Sequence, residues 1–357
     1  MFAFQKLTYR ICPFCFWKIF MPVISTNTHR PPSWLPNGHY QSIYPALFRT
    51  VNPSYQRERL TTPDDDFLDI DWSFAKKNKT ADKKETAKLP TTLPPLVILS
   101  HGLEGSSTRQ YITGMVKFLT TNGFDCLAWN YRSCSGEINR QLRFYHSGET
   151  TDLEFVIQHA LAKGYTEINL MGFSLGGNVT LKYVGENGAN IHPAIKKAVA
   201  FSVPMDLLAC SRNIEKPENK IYLWRFLKSL KPKVTAKAQQ YPEHFDLNKW
   251  KYVKTFWDFD HVYTGPLHGF EGADDYYQKS SSKGFIHAAA IPTLIVNAVN
   301  DPLVPYQSLP ADVIANMPNV WLELTQSGGH CGFRPDTFSH KDAYWSEVRA
   351  LTFLTEP

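Results

Sequence analysis

Residues Asn169 to Asn178, "NLMGFSLGGN", set Ser174 between Gly172 and Gly176 directly after an apolar run. The G-x-S-x-G spacing is that of a nucleophile elbow, a strained strand-to-helix turn that lifts a serine hydroxyl above the end of a sheet. A serine hydroxyl is a weak nucleophile near neutral pH. It needs a base in hydrogen-bond reach, and the base needs an acid to orient it and offset its charge. Where the elbow occurs, these partners follow in the order Asp or Glu and then His, each on a loop after a strand. Asp301 follows the apolar run "TLIVNAVN" and His330 follows "VWLELTQSGG". Ser174, Asp301 and His330 are therefore the candidate nucleophile, acid and base. Asp206, after "AVAFSV", is a rival acid that the chain order allows. Asp301 is preferred because the acid loop usually lies close to the histidine in sequence.

Acyl transfer through a serine also needs N–H groups aimed at the oxyanion of the tetrahedral intermediate. Leu175, immediately after the serine, should supply one. The loop "ILSHGLEGSS" should supply the other from Leu103, with His101 and Gly102 shaping the turn. His101 reads as a residue that holds this loop. No metal or organic cofactor is required by such chemistry. Cys12 and Cys15 form a lone C-P-F-C with no second pair at zinc spacing.

The elements that must position these groups alternate. "FLDIDW" (Phe67 to Trp72) has the apolar/acidic alternation of a half-buried strand, and "PLVILS", "CLAWN", "INLMGF", "AVAFSV", "TLIVNAV" and "VWLEL" are short apolar runs suited to strands buried on both faces. Helical spacing separates them at Ile112, Met115, Val116 and Leu119, at Leu153, Val156, Ile157 and Ala160, and near Ala343 to Phe353. The pattern predicts an α/β fold with a mainly parallel central sheet covered by helices on both faces. Residues 205–290 break the alternation and are rich in Lys, Trp, Tyr and Phe. They read as a cap insertion between two parts of a core, 30–204 and 291–357, preceded by an N-terminal arm, 1–29. Most of the cap's aromatics should form its own core.

With 357 residues, 43% hydrophobic and 20% charged, the chain can bury a large core and has neither a disordered nor a membrane-bundle composition. The net charge of +5 owes much to Lys76–Lys88, "KKNKTADKKETAK". That run contains acids and no aromatics, which suits a solvated loop and argues against a nucleic-acid partner. Six scattered cysteines point to a reducing, cytoplasmic setting. Residues Ile11 to Ile24 are mostly apolar but too short to span a bilayer and interrupted by Lys18. With Lys6, Arg10, Phe14, Phe16, Trp17 and Phe20, the arm could instead give peripheral membrane contact or pack on the domain.

The blocks "RPPSWLPNGHYQSIYPALF", "SHGLEGSS", "NYRSCSGE", "YHSGETTDL", "MGFSLGGN", "DHVYTGPLHGFEGADDYY", "IPTLIVNAVNDP" and "SGGHCGF" occur in this order from Arg30 onward. Together they resemble the YheT-like branch of the α/β-hydrolases, related to abhydrolase-domain proteins 1 to 3 and the yeast ethyl ester synthases. The resemblance implies an α/β-hydrolase fold and a serine carboxylesterase for short- to medium-chain acyl esters, with Ser174, Asp301 and His330 as triad. Water or an alcohol would accept the acyl group. It gives no catalytic role to His146, Asp152 or His268. An H-x4-D acyltransferase signature of some relatives is absent, because five residues separate His146 from Asp152. Two alternatives stay open: an alcohol O-acyltransferase using the same triad, and a non-catalytic lipid- or partner-binding protein on the same fold.

Overall fold

The computed structural model describes residues 23–26, 28–76, 92–336 and 343–356. Among them nine strands form one sheet: β1 (Val23–Thr26), β2 (Gln56–Thr61), β3 (Phe67–Ser73), β4 (Leu96–Ser100), β5 (Asp125–Trp129), β6 (Ile168–Phe173), β7 (Ile195–Phe201), β8 (Thr293–Ala298) and β9 (Val320–Thr325). Their order is β1-β9-β8-β7-β6-β4-β5-β3-β2. β1 and β4 to β9 are parallel, whereas β3 is antiparallel to both β5 and β2. The longer helices are α1 (Gly38–Phe48), α2 (Gln110–Thr121), α3 (Thr151–Ala162), α4 (Leu175–Asn187), α5 (Leu207–Ile214), α6 (Lys220–Gln240), α7 (Ala273–Ser280) and α8 (Trp345–Thr355).

The continuous apolar runs are explained by a core on each face of the sheet. In β4, Leu96 and Ile98 pack with Leu153, Val156 and Ile157 of α3 and Val179 of α4. Val97 and Leu99, pointing the other way, pack with Ile112, Met115 and Val116 of α2 and Ala350 and Phe353 of α8. Successive side chains of a strand point to opposite faces, so one run of five residues serves both layers. This is the mainly parallel sheet covered by helices on both faces that the sequence pattern predicts, and it agrees with the α/β-hydrolase fold that the resemblance implies.

Two edges of the sheet differ from that expectation. β1, from the end of the N-terminal arm, pairs with β9. β3 is buried along its whole length rather than on one face. Its carboxylates lie beneath β2, whose Arg59 and Arg57 stand opposite Asp69 and Asp71 in register. Arg59 donates to both Asp69 oxygens at 2.7 and 2.8 Å, and Arg57 to both Asp71 oxygens at 2.9 and 2.8 Å. Paired carboxylates tolerate burial that lone ones would not.

Between β7 and β8 the chain forms helices and turns only. Leu230, Val234 and Ala238 of α6 pack with Phe245, Val253, Phe259 and Tyr263 in a separate apolar cluster, joined by Trp250 and Phe256. Trp224 takes no part in it and is 60% exposed. Among the described residues no helix is long and apolar enough to cross a membrane. Cys126, Cys134, Cys210 and Cys331 are free thiols. The apolar stretch before Val23, the C-P-F-C pair and nearly all of the lysine run lie outside the described residues.

Arg132, just after β5, fastens the sheet to the turns beside it. Its guanidinium is 1% exposed and meets Asp152 at 2.8 Å through two nitrogens and Asp66 at 2.8 Å through a third. Asp152 is thus half of a structural ion pair. Removing the guanidinium would leave two buried carboxylates short of their main counter-charge. Arg132→Ala is expected to lower the unfolding free energy in urea by about 3–5 kcal/mol, the usual cost of breaking one side of a buried pair. A loss below about 1 kcal/mol would show that the network is not a stability element.

Candidate active site

Ser174 sits between β6 and α4 with φ 53° and ψ −122°, a conformation that side-chain-bearing residues rarely adopt. The bend is possible because its flanking glycines lie against backbone. A Cβ on Gly172 would come within 2.2 Å of the Gly176 carbonyl oxygen, and one on Gly176 within 2.2 Å of the Ser100 carbonyl oxygen. The turn is tied to the neighbouring strand by the Ser174 N–H, which donates to the Phe201 carbonyl at 2.9 Å. The hydroxyl emerges above the end of the parallel strands, where open α/β sheets bind ligands.

His330 Nε2 lies 2.9 Å from Ser174 Oγ, and His330 Nδ1 lies 2.9 Å from Asp301 Oδ2. A carboxylate oxygen only accepts, so the proton sits on Nδ1 and Nε2 is left to accept from the serine. Asp301 Oδ1 accepts the N–H groups of Leu303 at 2.8 Å and Val304 at 3.1 Å, which orients the carboxylate toward the ring. The rival, Asp206, is occupied elsewhere. It caps α5 by accepting from the Ala209 N–H at 2.9 Å, and its other oxygen meets Lys283 at 3.2 Å.

His101 is fully buried. Its Nδ1–H donates to the Gly102 carbonyl at 2.8 Å and its Nε2 accepts from the Tyr131 N–H at 3.2 Å. Burial pushes its pKa down to about 3. Both nitrogens being filled by backbone, the ring acts as a brace. The Gly102 carbonyl is also held by the Gly105 N–H at 3.0 Å. In a trans peptide the following N–H points opposite to the carbonyl, so fixing this oxygen fixes the direction of the Leu103 N–H. The Leu175 N–H is the first of α4 and belongs to the amides a helix leaves without intrahelical partners. Leu103 and Leu175 both border the cavity that holds Ser174.

Several supporting residues were not foreseen from the sequence. Ser42 Oγ in α1 accepts the His330 N–H at 2.7 Å, and Gln41 Oε1 accepts the Gly328 N–H at 2.8 Å. Asn300 bridges the two loops, accepting from Gly329 at 3.1 Å and donating to Gln41 at 3.0 Å. Next to Leu103, Glu104 is a buried carboxylate at φ 52°. It accepts from Tyr145 at 2.8 Å, from Lys233 of α6 at 2.7 Å and from the Ser229 hydroxyl. The turn bearing Leu103 is thereby bonded to the helical segment above it. The sequence signal for these roles is that Gln41, Ser42, Glu104, Tyr145 and Asn300 fall within the quoted blocks "RPPSWLPNGHYQSIYPALF", "SHGLEGSS", "YHSGETTDL" and "IPTLIVNAVNDP".

The cavity over Ser174 measures about 150 Å³ and is largely apolar. Leu207, Ile214, Phe226, Leu230, Phe256 and Leu303 line it together with His330. His146 and His268 border it with ring centroids 4.7 Å apart. Burial, and for His146 the neighbouring His268, holds both imidazoles below their ordinary pKa and therefore neutral. Neither reaches Ser174 in the hydrogen-bond network, so the structure does not bring them into the Ser174–His330–Asp301 line. Among the described residues no group of three or more His, Cys, Asp or Glu could hold a metal ion.

The α/β-hydrolase fold family matches residues 95–335. The chain is 34% identical over 325 residues to Escherichia coli YheT, provisionally named an esterase, covering 89% of this chain and 90% of that one. It is 29% identical over 331 residues to the human phospholipase ABHD3, covering 92% and 78% respectively. In fold alone it resembles the Pyrococcus furiosus esterase Pf2001, with a TM-score of 0.50, 16% identity and coverage of 94% and 97%. Agreement of the family match with a relative aligned over nearly its whole length makes the chain a member of the α/β-hydrolase fold family, in its YheT-like branch.

Proposed function

We propose that the protein is a serine carboxylic ester hydrolase acting on short- to medium-chain acyl esters. The observation that carries this reading is the continuous line Asp301–His330–Ser174, with both contacts to the imidazole at 2.9 Å, opening into an apolar cavity. In this mechanism Ser174 Oγ attacks the ester carbonyl carbon while His330 Nε2 takes its proton. The oxyanion is held by the N–H groups of Leu103 and Leu175. The carbonyl re-forms as the C–O bond to the alcohol breaks, and His330 returns the proton to that alcohol. Water, deprotonated by His330, then hydrolyses the acyl-enzyme and restores Ser174. Asp301 keeps the imidazole in one tautomer and offsets the charge it gains. Residues 205–290 act as a cap on a core formed by 30–204 and 291–357, and their apolar side chains receive the acyl chain. The esterase and phospholipase names of YheT and ABHD3 are consistent with ester chemistry of this kind.

Ser174→Ala is expected to lower turnover of p-nitrophenyl acyl esters by ~10⁴-fold or more, the scale seen when triad members are removed. Activity within a few-fold of the native protein would contradict the mechanism. Glu104→Gln should lower kcat by ~10-fold to 10²-fold with little change in KM, because it loosens the turn that aims the Leu103 N–H. An unchanged kcat in a variant with native melting behaviour would remove Glu104 from that role. With ethanol added to the assay, free acid should remain the main product. Ethyl ester as the main product would instead assign the protein to the alcohol acyltransferases.

A further inference from the structure

The outward face of α6 has no role in the chemistry above. Ile221, Trp224, Arg225, Lys228 and Lys231 recur at helical spacing on one face, and all are exposed. The opposite face, with Leu223, Leu230 and Val234, is buried. Ile221 is 59% and Trp224 60% exposed, and neither belongs to an apolar cluster of the fold. The ammonium of Lys228 lies 4.7 Å from the Trp224 ring. The turn 247–254, "LNKWKYVK", continues this surface: Lys231 of α6 lies 5.7 Å from the ring of Trp250. Here Leu247 is 42% and Tyr252 65% exposed, with Lys249, Lys251 and Lys254 exposed around them. α6 itself contains no acidic residue; the acids adjoining it and the turn in sequence are Glu215, Glu218, Glu243, Asp246 and Asp258, the last accepting from the Lys254 N–H at 2.9 Å.

Two chemistries coincide on this surface. Cations alone would suit any polyanion. Aliphatic and indole side chains standing clear among them suit the boundary between lipid headgroups and acyl chains, where Trp and Tyr partition and basic side chains meet anionic headgroups. A nucleic-acid surface would use aromatic rings and cations, with no need for exposed Ile221 and Leu247. The inner face of the same helix borders the cavity over Ser174 through Phe226, Leu230 and Val234.

We infer that the outer face of α6 and the adjoining turn 247–254 form a docking surface for anionic bilayers, which brings the cavity to a membrane-borne substrate. The docking step stands independently of the ester chemistry, although its use for substrate delivery rests on the proposed function. It adds a second contact to the one the N-terminal arm could make, and it involves residues far from that arm in sequence.

The test uses the full chain with sedimented vesicles of phosphatidylcholine alone or with about a third phosphatidylglycerol, and compares the native protein with R225E/K228E/K231E and with I221S/W224S. The native protein should favour the anionic vesicles by ~10-fold or more, with partitioning that falls as salt rises. Charge reversal should abolish that preference, and I221S/W224S should weaken binding even at low salt. Hydrolysis of a soluble p-nitrophenyl ester should be unchanged in both variants. Equal binding of the native protein to neutral and anionic vesicles would overturn the proposal. So would variants that bind like the native protein, which would assign membrane contact to other segments, or retention on RNA without vesicle binding. Failure of esterase activity with vesicle binding intact would contradict the proposed function and leave the docking surface standing.

Discussion

The backbone of Ser174, held at φ 53° between a buried strand and a buried helix, is the constraint on which the rest of the site depends. A residue with a side chain gives up ~1–3 kcal/mol to occupy such a region, so its surroundings must over-determine it. They do so from three sides. β6 is locked between β4 and β7, α4 is buried along most of its length, and glycines at both flanks let backbone meet backbone. The hydroxyl, the first amide of α4 and the Leu103 turn are then brought together by the fold itself. A flexible serine in the same sequence would have to be ordered anew by each substrate.

The partners of the serine arrive from loops with their own supports. Asp301 is tied down by the amides of its own turn, and His330 by Ser42 from a helix near the start of the described core. Glu104 joins the Leu103 turn to α6, so the same helix faces the cavity, braces the turn beside it and presents a basic, aromatic surface outward. The cavity wall, the support of the Leu103 turn and the exposed basic face therefore share one structural element. A displacement of α6 would be felt at Leu103 through a buried ion pair, where low dielectric makes the loss of a partner costly.

Much of this was legible in the sequence because the strands are short, apolar and closed by turn residues, and because Ser174, Asp301 and His330 each follow one of them. The brace formed by His101 was also foreseeable from its place beside Gly102. The sheet edge at β2 was not, since "QRERLT" has no apolar alternation and its burial partners are the acids of β3. Full burial of β3 follows from the same arginines. Gln41 and Ser42 escaped notice for a different reason. Their bonds join residues 259 to 288 positions apart, and nothing local distinguishes them from other polar residues on a capped helix. Trp224 is an exception to the expectation that most aromatics of residues 205–290 form a core of their own, and its sequence neighbours do not distinguish it from Trp250, which packs there.

In the proposed mechanism the Ser174 hydroxyl is the nucleophile of a covalent acyl transfer. Its most direct measurement is reaction of the native protein with a fluorophosphonate, followed by peptide mass mapping. One phosphonyl group per chain, carried by the peptide containing "GFSLGGN", is predicted, with the modification abolished when the protein is unfolded beforehand. An unmodified Ser174 peptide, or equal labelling of other serines, would rule out Ser174 as that nucleophile.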